Sequence, residues 1–270
     1  MTVGDWVRQA TEQLQGAGIS TAKLEAQLLA AHALDRDRSW IAAHEDDLLF
    51  NEEQLSSCLL HRLSRFPLAY ITGWREFYGR DFSVEPSVLI PRQETETLIL
   101  AALEVLPHGA HVLDLGTGSG CVAITLKLER PDLDIVACDI SDEAIAIAER
   151  NADRLGADID FIWSDGFGTF EDELFDAVIT NPPYVEADAE LEPEVSEWEP
   201  ARALFAGPDG LDFYRKLAAE AHLQLTTDGW LLTELGDGQA SAVESMFNGS
   251  RKRLWTDLGG ITRVLGVRFG

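Results

Sequence analysis

From residue 110 to the C-terminus, short apolar runs alternate with amphipathic ones, and this alternation narrows the possible folds more than any other feature of the chain. His111 to Leu115, Asp134 to Cys138, Ile159 to Trp163, Asp176 to Thr180 and Trp230 to Leu235 read as strands. Ser119 to Glu129, Asp142 to Leu155, Leu211 to Leu225 and Gln239 to Phe247 read as helices. Such alternation predicts an α/β domain, a mostly parallel sheet with helices on both faces. Two final strands, Arg253 to Leu258 and Thr262 to Phe269, are joined by Gly259-Gly260, so an antiparallel strand should end the sheet.

The first 74 residues follow a different rule. Trp6, Ala10 and Leu14 recur at helical spacing, and Gly16 and Gly18 end that segment. A second helix buries Leu24, Leu28 and Ala31, and a third should run from Ser39 to Phe50. A fourth carries Leu55, Leu59 and Leu63, with Asn51 as its N-cap. Four short amphipathic helices predict a small bundle. Residues 74–91 read as a β-hairpin, with Phe77, Phe82, Val84, Val88 and Ile90 apolar and Gly79 and Pro86-Ser87 turning the chain. A helix then starts within Pro91 to Glu96. The expected organisation is a helical domain over 1–74, a hairpin connector over 75–91 and an α/β domain over 92–270.

Composition excludes several classes. No apolar run approaches the roughly 20 residues that span a bilayer, and the start Met-Thr-Val-Gly-Asp-Trp predicts no signal peptide. Cys58, Cys121 and Cys138 lack metal spacing, as do His32, His44 and His61, so a monomeric, metal-free, cytoplasmic protein is expected. Against 21 Lys and Arg stand 47 Asp and Glu, a net charge of -26. Nucleic-acid affinity comes largely from cations on phosphates, so stable binding to DNA or RNA is not expected. The acid is spread along the whole chain, which favours adaptation to high salt over a single basic partner.

Two loops carry the chemistry. Val112 to Gly120 reads as strand, glycine turn and helix start, with Gly116, Thr117, Gly118, Ser119 and Gly120 letting the backbone approach a ligand closely. Asp139 ends the next strand, with Ile140 after it, about 20 residues on, where a carboxylate can accept two ribose hydroxyls. The spacing is G-x-G-x-G, and Asp114 stands just ahead of it. A carboxylate there would repel a pyrophosphate but suits a cationic ligand, which points to S-adenosylmethionine, with its ammonium and sulfonium, over a dinucleotide. Asp165, in Ser-Asp-Gly-Phe after the third strand, can accept from an adenine amino group or merely turn the chain, and Phe167 beside Gly166 can pack on the ring. The second loop is Asn181-Pro182-Pro183-Tyr184, a stiff turn at the end of a buried strand. It presents an amide, a carbonyl with no adjacent N–H and a flat ring, a set suited to gripping a planar –NH2 group.

Taken together these stretches resemble the peptide chain release factor N5-glutamine methyltransferases, the PrmC/HemK family. The resemblance covers most of the chain: Pro67 to Gly73, Glu76 to Gly79, Leu89 to Arg92 with Glu94-Thr95-Glu96, Asp114 to Gly120, Asn181 to Tyr184, Glu199-Pro200, Asp209-Gly210-Leu211 and Gly260 to Val264. It departs at Gln93, where a proline is frequent, and at Gly166, where an aromatic residue is common. It implies a Rossmann-like, seven-stranded methyltransferase domain behind a helical substrate-docking domain. It also implies S-adenosylmethionine as methyl donor and, as substrate, the glutamine of the Gly-Gly-Gln loop of class I release factors. In that reading the Asn181 side-chain oxygen and the Pro182 carbonyl take the two amide N–H bonds, and Tyr184 stacks on the amide plane. Arg92, Glu94 and Glu96 line the substrate channel or simply form a salt-bridged helix start. The stretch from Glu186 to Glu199 is a lid or a solvated face. Asn-Pro-Pro-Tyr is also shared with adenine-N6 methyltransferases and with other glutamine methyltransferases. A nucleic-acid adenine methyltransferase, an enzyme acting on a ribosomal-protein glutamine and a non-catalytic cofactor-binding scaffold therefore stand as alternatives.

Overall fold

The computed structural model describes residues 1–171 and 173–270. The chain forms two compact units. One comprises Met1–Trp74 together with Leu191–Trp198, and the other Arg75–Glu190 together with Glu199–Gly270.

The first unit is helical: α1 (Val3–Gly16), α2 (Ala22–Leu34), α3 (Arg38–Ala43), α4 (Glu52–Leu63) and α5 (Leu68–Thr72). Val3, Trp6, Ala10 and Leu14 form one buried stripe of α1 against Ala26, Leu29 and Ala30 of α2 and Leu55 of α4. Thr2 and Asp5 close a capping box at the start of α1. The third helix stops at Ala43, short of the predicted Phe50. Residues beyond it serve α1 instead: the carbonyls of Glu45 and Asp47 accept from Gly4 and Val3, whose N–H groups have no partner within the helix. Asn51 does precede α4, but in a left-handed backbone, and its amide donates to the Ala33 carbonyl at 2.7 Å instead of capping.

Residues 191–198 complete this unit. They include a short helix, Pro193–Ser196. Arg62, only 5% exposed, binds Glu25 at 2.5 Å and Glu194 at 2.9 Å, and Arg65 reaches Glu194 at 2.8 Å. Phe66 meets the Trp198 ring edge-on at 4.9 Å. The acidic stretch after the Asn-Pro-Pro-Tyr turn is thus partly neither lid nor free solvated face.

A two-stranded sheet, β1 (Trp74–Phe77) and β2 (Arg80–Ser83), begins at the last residue of the first unit and otherwise belongs to the second, with Phe77 and Phe82 buried edge to face. A 3-10 turn, Gln93–Thr95, leads into α6 (Glu96–Val105). There follow β3 (His111–Leu115), α7 (Cys121–Glu129), β4 (Asp134–Asp139), α8 (Asp142–Leu155), β5 (Asp160–Trp163) and β6 (Phe175–Thr180). With the Pro193–Ser196 helix as α9, the chain ends with α10 (Asp212–Glu220), β7 (Leu225–Glu234), α11 (Ala240–Glu244), β8 (Arg251–Thr256) and β9 (Thr262–Arg268). The seven-stranded sheet has the order β5-β4-β3-β6-β7-β9-β8. Its first five strands are parallel, and β9 runs antiparallel to both neighbours, as the closing glycine turn predicts. Apolar layers cover both faces, one around Leu98, Ile124 and Ile179, the other around Leu113, Val178 and Tyr214. The order reverses beside β3, so a crevice opens at the C-terminal ends of β3 and β6, the place where open α/β sheets take ligands.

Candidate active site

Both chemically loaded loops meet in that crevice. Thr180 donates to the Leu115 carbonyl at 2.7 Å, which ties the end of β6 to the end of β3. A cavity of about 310 Å³ runs from the glycine loop past Asp139 and Asp165 to Asn181, Pro182 and Pro183.

The glycine loop is built on three left-handed residues, Gly116 (φ 78°), Gly118 (φ 57°) and Gly120 (φ 80°). Space is open where a Cβ would stand on Gly116 or Gly118, whereas one on Gly120 would meet Ile124 at 2.7 Å and Ala148 at 3.1 Å. The first two therefore serve approach to the cavity, and Gly120 serves packing of α7 on α8 and does not line it. Gly116 and Thr117 donate to the Cys138 carbonyl, both at 2.9 Å. Asp139 accepts from Gly118 N at 2.9 Å and from Ser141 N at 3.0 Å, which fixes its carboxylate at the cavity wall. Asp114 lies beneath the loop, 2% exposed, accepting from Thr117 Oγ1 at 2.7 Å and Ala123 N at 3.2 Å. Burial pushes its carboxyl up to about 6.

Farther along the cavity, Ile140 is 45% exposed and supplies an apolar wall. Asp165 pairs with Lys216 at 3.6 Å. A Cβ on Gly166 would lie 2.6 Å from Lys216 Nζ, so the lysine fills the space that a side chain at 166 would take. Phe167 does not line the cavity. It is buried in the apolar layer with Phe170, because the turn between Ser164 and Phe170 directs both rings inward. The aromatic ring in the wall is Phe213, which sequence reasoning missed.

At the other end, Asn181 Nδ2 donates to Thr95 Oγ1 at 3.1 Å. Tyr184 is not itself in the cavity wall. Its hydroxyl donates to Glu234 Oε1 at 3.4 Å, and burial raises its phenol above the ordinary range. Glu234, at the end of β7, is 1% exposed, and burial pushes its carboxyl up to about 7. The Tyr184 carbonyl accepts from Gln239 Nε2 at 3.0 Å and packs against Gly210. Arg92 lines the cavity and binds Glu199 at 2.5 Å, while Glu199 Oε2 accepts from Ile90 N at 3.1 Å. Glu94 is exposed and outside the wall, and Glu96 accepts from Tyr78 N at 3.1 Å, bracing the hairpin. Thr95, Glu234, Gln239 and the Glu199 clamp carried no role in the sequence reading. For Glu234 a signal existed: an acidic residue ends the apolar run Trp230-Leu231-Leu232-Thr233 at the ligand-binding edge of the sheet. No group of His, Cys, Asp and Glu that could hold a metal occurs among the described residues, and none of their helices is long and apolar enough to cross a membrane.

Comparison with known proteins identifies relatives over nearly the whole chain. Residues 5–73 match the PrmC N-terminal domain and residues 94–197 the Methyltransferase small domain. The release factor glutamine methyltransferase of Geobacter sulfurreducens is 44% identical over 98% of this chain and 95% of its own. That of Escherichia coli is 36% identical over 90% and 88%. A methyltransferase structure from Pyrococcus furiosus, 18% identical, superimposes with a TM-score of 0.55 over 82% of this chain and all of its own. Relatives 40% and 44% identical over 98% of its length show that the chain belongs to the release factor glutamine methyltransferase family, a family of S-adenosylmethionine-dependent methyltransferases.

Proposed function

We propose that this protein methylates the side-chain amide nitrogen of the glutamine in the Gly-Gly-Gln loop of class I peptide chain release factors. One observation carries the reading at the level of the site: Asn181, whose Nδ2 donates to Thr95, and Pro182 both line the cavity, and we read Asn181 Oδ1 and the Pro182 carbonyl as the acceptors they present. Two acceptors side by side suit the two N–H bonds of a primary amide. The named relatives support the identity of the substrate.

The residues present fit S-adenosylmethionine. Asp139 suits the ribose hydroxyls, Ile140 and Phe213 the faces of an adenine, and Asp165 its amino group. Gly116 to Ser119 allow close approach, and Asp114, a buried carboxyl without a cation, suits a positively charged ligand above the loop. Bound there, S-adenosylmethionine supplies an electrophilic methyl carbon on a sulfonium.

A carboxamide nitrogen is a weak nucleophile because its lone pair is delocalised into the carbonyl. Asn181 Oδ1 and the Pro182 carbonyl hold its N–H bonds, while Tyr184, outside the cavity wall, is tied through its hydroxyl to Glu234 and anchors the end of the turn. Held so, the nitrogen would receive the methyl that S-adenosylmethionine would supply, the electron pair of the carbon–sulfur bond staying on sulfur, and the surplus proton would pass from the nitrogen to solvent. Positioning and oriented dipoles supply the acceleration, without a strong base. The test is to incubate the protein with S-adenosylmethionine and an unmethylated release factor, then map the added methyl by mass spectrometry. One methyl on the Gly-Gly-Gln glutamine is expected. Its absence, or a methyl only on a ribosomal protein or on nucleic acid, overturns the proposal.

A further inference from the structure

Glu234 is used by nothing in the reaction described above, yet it is a carboxylate held 1% exposed beside the reacting turn. Its Oε1 accepts from the Tyr184 hydroxyl at 3.4 Å, and its Oε2 is buried without a hydrogen-bond partner. The Thr95 hydroxyl, 2% exposed for the residue, lies beside this carboxylate and stabilises its charged form without closing into a full hydrogen bond. The same hydroxyl oxygen accepts from Asn181 Nδ2 at 3.1 Å. One buried acid therefore holds Tyr184, at the end of the Asn-Pro-Pro-Tyr turn, and neighbours the hydroxyl that holds Asn181 at its start.

We propose that Glu234 is a positioning residue that sets the polarity of the Asn181 amide through Thr95 and anchors the Tyr184 ring directly. This inference rests on the amide-gripping reading of the site and adds to it the group that aims the grip. The argument is one of proton counting. An ionised carboxylate only accepts. The Thr95 hydroxyl has a single proton, and the Glu234 carboxylate is the charged acceptor beside it. The Thr95 oxygen then has only lone pairs to offer Asn181, so Asn181 must turn its NH2 toward Thr95 and its Oδ1 toward the cavity. The opposite flip would set two acceptors against each other at Thr95 and present two N–H donors to a substrate amide that also presents N–H. A group that can donate at position 234 removes this constraint and allows both flips.

Tyr184 is held by the same logic, since its hydroxyl can only donate to Oε1. The carboxylate is costly to bury, and β7 pairs at Glu234 through its backbone, which does not call for the charge. The groups that face it are Tyr184, Thr95, Tyr214, Cys121, Arg263 and Glu94. Of these, Arg263 favours the charged form of Glu234 and Glu94 opposes it. With its carboxyl raised to about 7, the polarity should be enforced above that pH and relaxed below it.

The experiment compares Glu234→Gln, Thr95→Val and Thr95→Ser with the wild-type chain, using release factor and S-adenosylmethionine both at saturation. Glutamine keeps the shape of Glu234 and removes a buried charge, so that variant should fold, and melting curves will verify it. The expected result is a fall in kcat of about 10- to 100-fold in Glu234→Gln and Thr95→Val, with recovery of most of the loss in Thr95→Ser. The Kd for S-adenosylmethionine, read by calorimetry, should change less than about threefold. The wild-type rate should rise with pH through about 7. That step should vanish in Glu234→Gln, while any step due to Asp114, nearer 6, remains. A wild-type kcat and pH profile in folded Glu234→Gln, or cofactor affinity lost as steeply as turnover, overturns the inference. A wild-type chain inactive on release factor would instead overturn the underlying function.

Discussion

Gly210→Ala tests whether the Asn-Pro-Pro-Tyr turn works as a rigid template. Gly210 has φ +67°, and a Cβ there would lie well under 3.0 Å from the Tyr184 carbonyl oxygen, with Tyr184 C at 3.1 Å and Gln239 Nε2 at 3.0 Å. The obstruction is backbone, so it cannot rotate away. Restoring ordinary contact at 3.4 Å requires the turn to retreat by about 1 Å, and it would also stretch the Gln239–Tyr184 hydrogen bond. The left-handed conformation itself costs alanine about 1–2 kcal/mol. A reacting group misplaced by about 1 Å loses about 100-fold in rate. We therefore expect kcat to fall about 100-fold, the melting temperature to fall by several degrees, and the affinity for S-adenosylmethionine to hold, because the glycine loop is untouched. Gly207→Ala is the matched control. Its φ is +80°, so the backbone strain is similar, but the added methyl meets the exposed Asp212 carboxylate, which can swing aside. It should lose comparable stability and far less turnover. Equal loss of kcat in the two variants, or near-normal kcat in Gly210→Ala, would refute the rigid-template argument.

Other expectations follow from the same geometry. Asn181→Ala should cut turnover by about two to three orders of magnitude with little effect on cofactor binding, whereas Asp139→Ala should weaken cofactor binding by about 1.5–3 kcal/mol and recover part of its rate at saturation; paired calorimetry and steady-state kinetics separate them. Arg62→Ala leaves Glu25 and Glu194 without their buried partner and should cost about 3–5 kcal/mol in denaturant unfolding of the helical unit; a change below about 1 kcal/mol would contradict the buried placement. Asp114 titrates in the native state at about 6 against 3.8 unfolded, so the folded chain keeps a proton that the unfolded chain releases. Its contribution is fully present below about 3.8 and is lost as pH rises through about 6; Asp114→Asn should flatten melting temperature against pH across that window. With a net charge of -26, melting temperature should climb as KCl goes from about 0.1 to 1 M, as the Debye length shrinks from about 10 to 3 Å; a flat curve would disprove salt adaptation.

The parts of the molecule legible from sequence are those in which local chemistry leaves few options. Gly116, Gly118 and Gly120 all adopt positive φ, and Pro182-Pro183 must end a strand, so both loops could be located before any coordinates. The sheet followed from alternation alone. What stayed hidden depends on direction and on distant partners. Phe167 precedes Gly168 in a loop, and no local rule says whether such a ring turns to the cavity or, as here, joins Phe170 in the core. Glu234 reads as the polar end of a strand until Tyr184 and Thr95 are seen around it. The third helix stopped early because the N-terminus of α1 needed acceptors, a demand set about 40 residues upstream.

The helical unit has a consequence for how the protein is made. Its surface is finished by residues 191–198, which leave the ribosome about 120 residues after Trp74, roughly 6–25 s later at ordinary synthesis rates. During that interval Arg62 has Glu25 but not Glu194, and Phe66 has no Trp198 edge to cover it. The nascent helices must wait, incomplete, while the first strands of the sheet are still being translated. The same arrangement governs recombination between relatives: exchanging the first 74 residues alone would strand the eight-residue insert among foreign side chains, so a working chimera should carry both pieces from one parent.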